Sequence, residues 1–167
     1  AYRQCSNSTL VLEILSNELI DSGRSKVLDD LLEEHRKTHP KDSTVCMLLG
    51  QQAAAKNDWA KASAAFKEGW TLLPEAKRTR WSFAYLQARY KSGEAVNAHR
   101  DTGRRLKYFR QLATMILNDK NVTQFEKLID AHRERGMVEP ELAAYEARLK
   151  LLSGKHSEAA VLLSSSV

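Results

Sequence analysis

At 167 residues, with 43% hydrophobic and 28% charged positions, the chain has room for one sizeable core or four to five helix pairs, and its composition is that of a globular protein. Three prolines and seven glycines leave little room for a disordered tail, and no apolar run approaches the roughly 20 residues that span a bilayer. The net charge of +5 points to an acidic partner before a basic one.

Helical periodicity begins near Ser8, with Leu12, Leu15 and Leu19 forming one stripe and Gly23 standing where a left-handed C-terminal cap is needed. Ser25 is placed to cap a second helix with the stripe Leu28, Leu31 and Leu32, and His39-Pro40 stops it. From Ser43 the pattern is clearest. Cys46, Leu49, Gly50 and Ala53 share a face, Lys56-Asn57-Asp58 turns, and Trp59, Ala62, Phe66 and Gly69 make the answering face before Pro74. Small residues at Gly50 and Ala62 suit a close helix crossing, and Phe66 fills the gap beside it.

A third pair opens with Trp81, Ala84, Tyr85 and Ala88 and turns at Ser92-Gly93. Its second helix, from Glu94, is cut short at Asp101-Thr102-Gly103, and Thr102 is placed to cap the next helix. Phe109, Leu112, Ala113 and Ile116 give that helix its inner face, and Thr123-x-x-Glu126 reads as a capping box for the one after it. The last pair starts near Pro140, with Leu142, Tyr145, Leu149 and Leu152, turns at Gly154 and closes with Ala159 and Leu163.

Pro40 and Pro74 lie 34 residues apart, and so do Gly23 and Asn57. With its order of small residue, turn, aromatic, small residue, aromatic and proline, this spacing resembles the tetratricopeptide repeat. The likeness is strong over 9–76, moderate over 106–163 and weak over 77–105, where Gly93 and Lys120 are only 27 residues apart. It implies an all-α fold, a right-handed solenoid of helical hairpins, as a single domain over 1–167 with about four to five pairs. In the third and fifth pairs, the register of the first helix is ambiguous by one residue.

In that family the first helices line a concave groove that binds peptides or proteins, and the fold performs no chemistry. The resemblance therefore implies a protein–protein interaction module or scaffold, without catalysis or cofactor. Glu13, Asn17, Met47 and Gln51 are expected along the groove of the first two pairs. One subclass clamps carboxylates with lysine and asparagine, but Glu13 stands where the lysine is needed and would repel a carboxylate.

Other chemistry finds little support. His35 and His39 are four apart, but HRKTH lacks the glutamate of a zinc-protease helix, so they read as complements to a helix C-terminus rather than as metal ligands. Asp29-Asp30 and Glu33-Glu34 fit surface ion pairs with Arg36 and Lys37 better than general acid–base catalysis. Cys5 and Cys46 belong to no CxxC pair, and Cys46 sits on an apolar face, which fits a reducing, cytoplasmic setting. The chain begins at Ala1 rather than Met, so a piece of a longer protein is expected.

Charge is unevenly spread. Residues 77–110 hold ten Lys/Arg against Glu94 and Asp101 alone. Arg78, Tyr85, Arg89, Arg104, Arg105 and Arg110 are the candidates there, for an acidic protein segment ahead of nucleic acid. Trp81, Tyr85, Tyr90, Tyr108 and Phe109 are interleaved with the cations, a composition compatible with stacked bases. A nucleic-acid-binding repeat is thus one alternative; the docking or regulatory part of a larger enzyme is another.

Overall fold

The computed structural model describes residues 8–134, 136 and 140–164. Among them are ten helices and no strand. The chain divides into two compact units, Ala1–Ser92 and Gly93–Val167, which are taken in turn.

The first unit contains α1 (Thr9–Asp21), α2 (Ser25–Thr38), α3 (Ser43–Ala55), α4 (Trp59–Leu72) and α5 (Glu75–Lys91). Consecutive helices pack on each other, and α3 also touches α1 and α5. The first helix of each pair, α1, α3 and α5, therefore lies beside its counterpart. Ser8 caps α1, its side chain accepting from Val11 N, while α2 starts without a side-chain cap because Ser25 is already its first helical residue.

Glycines set the α3–α4 crossing. A Cβ on Gly50 would lie 2.8 Å from the Phe66 ring, and one on Gly69 would lie 3.0 Å from Cys46 Cβ and 3.1 Å from Met47 Cε. No side chain but hydrogen lets the two backbones approach this closely. Leu12, Leu28, Leu32 and Phe66 are buried here, as the apolar stripes of the first two pairs require, and Met47, Leu48, Tyr85 and Leu86 join them, whereas Leu15, Leu19, Leu31 and Leu49 of the same stripes are only partly covered.

Polar contacts fasten the same unit. His35, at the end of α2, holds Asp42 Oδ2 at 2.9 Å, and Asp42 Oδ1 accepts from Thr44 N to cap α3. Burial works to raise the Asp42 carboxyl, but the hydrogen bonds from Thr44 and the contact with His35 outweigh it and hold it below its ordinary value. Gln52 Nε2 donates to Ser25 O and Asp29 Oδ1 across α2 and α3.

The second unit contains α6 (Ala95–Asp101), α7 (Leu106–Asn118), α8 (Val122–Arg133), α9 (Pro140–Leu152) and α10 (His156–Ser164). At seven residues, α6 is short, as the early Asp101-Thr102-Gly103 break requires. Thr102 does not cap α7; it ends α6, donating from Oγ1 to His99 O at 2.9 Å. Likewise Asn121, not Thr123, caps α8, accepting from Gln124 N at 3.1 Å. Thr102 lies three residues before Arg105, the N-cap position of α7, which has no side-chain cap, and Thr123 lies two residues past Asn121, inside α8.

Aromatic and histidine rings join the helices of this unit. His99 and His132 are buried with Nε2 and Nδ1 3.0 Å apart, one donating to the other, which couples α6 to α8. Phe109 stacks on His132 at 4.2 Å and meets Tyr145 edge-on at 5.1 Å.

The repeat shows most plainly in the turns. Gly23, Asn57, Gly93, Lys120 and Gly154 all have positive φ. After α1, α3, α7 and α9, paired backbone bonds close this turn in the same way, as in Asn57 N to Ala54 O and Asp58 N to Ala53 O.

Candidate functional site

In the first unit, α1, α3 and α5 share a face, and a cavity of about 260 Å³ lies along it. Asn17 and Asp21 come from α1, Gln51 and Ala54 from α3, and Ala84 and Gln87 from α5, with the Phe66 ring beneath. Asn17 and Asp21 are one turn apart on α1, as are Ala84 and Gln87 on α5, so the lining follows from helical spacing alone. Alanine at 54 and 84 keeps the middle low. The amides stand around it.

Gln51 Oε1 is buried without a hydrogen-bond partner. Asn17 and Gln87 likewise make no side-chain hydrogen bond among the described residues. Three carboxamides, each carrying donors and an acceptor, thus face one cavity with unused capacity. One turn before Asn17 and Ala84, Glu13 and Arg80 form an ion pair of 2.6 Å that runs directly from α1 to α5.

A larger depression, about 470 Å³, lies between α1 and α2 and is lined mainly by Leu15, Leu19, Val27 and Leu31. Its lining comes from one hairpin and is chiefly apolar. It lacks the convergence of polar groups from separate helices that orients a ligand.

The expected groove residues divide. Asn17 and Gln51 come together in the cavity. Glu13 is 8% exposed and is held by Arg80. Met47 is fully buried, because it packs against Gly69 on α4, and it presents no surface to a partner.

The basic stretch is placed differently from its sequence expectation. Tyr85 is buried and stacks on Trp70 at 4.4 Å, and Arg89, 1% exposed, lies over the Tyr85 ring at 6.0 Å. Both belong to the core of the first unit. Arg78 lies over Trp70 at 5.4 Å and donates from Nε to Leu73 O, closing the end of α4. Trp81, Tyr90, Tyr108 and Phe109 are buried as well, so none of the five interleaved aromatics offers a face to a base.

In the second unit, Arg100 and Arg104 share Glu134, at 3.1 and 2.9 Å, and Arg110 pairs with Glu141. Carboxylates of the chain itself thereby offset the charge of these three cations. Arg105 is exposed at the start of α7.

Asp21, Ala54, Ala84 and Gln87 are lining residues that the sequence reading did not single out. The signal for Asp21 was present, since it continues the i, i+4 series from Glu13 and Asn17. At Ala84 the one-residue register ambiguity decided the matter: a step of 34 from Gln51 selects Tyr85, whereas the residue that lines the cavity is its neighbour.

Other candidate centres are structural. His35 and His39 stack at 4.5 Å, and His35 is engaged by Asp42. Burial pushes the Cys46 thiol up to about 11, with Glu68 adding to the effect, so it stays protonated and a poor nucleophile or metal ligand. Among the described residues, no group of three or more His, Cys, Asp or Glu could hold a metal ion, and no helix is long and apolar enough to cross a membrane.

The fold is all-helical and repeat-like, built of hairpins with a left-handed residue at the turn. Compared with protein-family models and with curated proteins, the chain matches none.

Proposed function

We propose that the chain is a protein-interaction module of tetratricopeptide type, a scaffold that binds a peptide or protein segment along the shared face of α1, α3 and α5 and performs no catalysis of its own. One observation carries this reading. Asn17, Gln51 and Gln87, from three different helices, surround a cavity with low alanine positions and leave their amides unused. Amides so arranged are matched by the alternating N–H and C=O groups of a polypeptide backbone, and a bond made to Gln51 Oε1 relieves a desolvated group.

The test is to select binders for the 167-residue chain from a displayed library of random dodecapeptides and measure the synthetic peptides against Ala54→Trp. The indole fills the middle of the cavity from a half-buried position, so peptide affinity falls by about tenfold or more while the unfolding curve is retained. Unchanged affinity in a folded Ala54→Trp protein refutes the groove.

A further inference from the structure

On α1, Glu13, Asn17 and Asp21 form an i, i+4, i+8 series, two carboxylates about 12 Å apart along the helix with an amide between them; Asn17 and Asp21 line the cavity, and Glu13 lies one turn beyond its lining. Asp21 makes no ion pair among the described residues. Glu13 has Arg80, but the two partners are unequal: the Glu13 side chain is 10% exposed and that of Arg80 is 65% exposed. The carboxylate is the fixed member and the guanidinium the movable one.

Releasing Arg80 into water costs that exposed side chain little. A nearly buried carboxylate left without a cation costs considerably more. Whatever enters this end of the groove and displaces Arg80 must therefore bring a positive charge. Arg80 also has somewhere to rest, because its guanidinium already lies 5.5 Å from the neighbouring Trp81 ring.

We propose that the groove is selective for an extended cationic segment, with one lysine or arginine exchanging for Arg80 at Glu13 and a second, four residues along, meeting Asp21. In an extended chain, residues i and i+4 point to the same side and lie about 13 Å apart, close to the roughly 12 Å between the two carboxylates. The carboxamides of Asn17, Gln51 and Gln87 take the backbone between them. This rests on the groove reading above and adds the charge and spacing of the partner. It runs opposite to the positive net charge of the whole chain, because the residues that face the groove are not those that set the total.

The experiment uses the full chain at low ionic strength, where charge pairs are screened least. Four fluorescein-labelled undecapeptides are built on a background of serine and threonine. Three carry lysine, serine or glutamate at both the fourth and the eighth residue; the last carries its two lysines at the fourth and sixth. Anisotropy titration is expected to rank the wide-spaced lysine peptide about tenfold above the serine peptide, with the glutamate peptide below it and the close-spaced lysine peptide between. Asp21→Asn, at an exposed position, cuts the lysine preference to about threefold. Arg80→Ser strengthens binding of the wide-spaced lysine peptide by removing the tethered competitor and leaves the serine peptide unchanged. Equal binding of the wide-spaced lysine and serine peptides, or tighter binding of the glutamate peptide, overturns the charge selection and leaves the groove standing. Failure of all four peptides at millimolar concentration overturns the groove reading itself, and this inference with it.

Discussion

Gly50 and Phe66 offer a quantitative test of how the first unit is packed. Phe66 is 1% exposed, and a Cβ on Gly50 would lie 2.8 Å from three atoms of its ring. Carbon atoms pack at about 3.5–4.0 Å, so Gly50→Ala requires the ring or the helix to move by roughly 0.7 Å or more. That is overpacking, with an expected loss of about 1–3 kcal/mol. Phe66→Ala alone removes the ring and leaves a void against a position with no side chain to fill it, at about 3–5 kcal/mol. Together they should cost less than the sum by about 1–2 kcal/mol, because the new methyl enters the space the ring has left. Urea unfolding followed by tryptophan fluorescence reads this unit selectively, since Trp59, Trp70 and Trp81 all lie in it. Additivity within about 0.5 kcal/mol, or a loss below about 1 kcal/mol for Phe66→Ala, would refute this account of the crossing.

Three further outcomes follow from other contacts. The Asp42 carboxyl is held below its ordinary 3.8, so it contributes stability above that pH which is lost as pH falls through the lower folded value; Asp42→Asn should lower stability at pH 7 and flatten the acid limb of a pH–stability curve. Lys120 has φ 51° where Gly23 and Gly154 serve elsewhere, so Lys120→Gly should stabilise the second unit by a few tenths to about 1 kcal/mol in circular-dichroism melts. Arg104, Arg105 and Arg110 are at least partly exposed, so replacing all three with serine should leave the helical spectrum intact and cost about 1 kcal/mol or less per ion pair, less again in high salt.

Much of the hairpin pattern was legible because each turn needs a left-handed residue and each helix a stripe, and both recur at fixed spacing. The short α6 was legible for the same reason: Asp101-Thr102-Gly103 comes too soon for a full helix. Which polar residues turn inward was not. Arg89 lies on the buried face of α5 over Tyr85, a choice that a hydrophobic pattern cannot announce. Thr102 and Thr123 have the right chemistry for caps, but the helices begin at other residues. The site was half legible. Asn17 and Gln51 followed from the period, whereas Ala54 and Ala84 matter by being small, and a small residue on a helix reads as core or as nothing in particular.

The repeat and the compact unit are out of step. By sequence, helices pair as first and second, yet the first unit closes after α5, an odd helix, at Ser92. Within the first unit, three first helices stand with two second helices, and every residue lining the cavity precedes Ser92. The two halves of the chain are accordingly free to change at different rates. A change in the number or length of the helices after Gly93 alters no lining residue of the cavity.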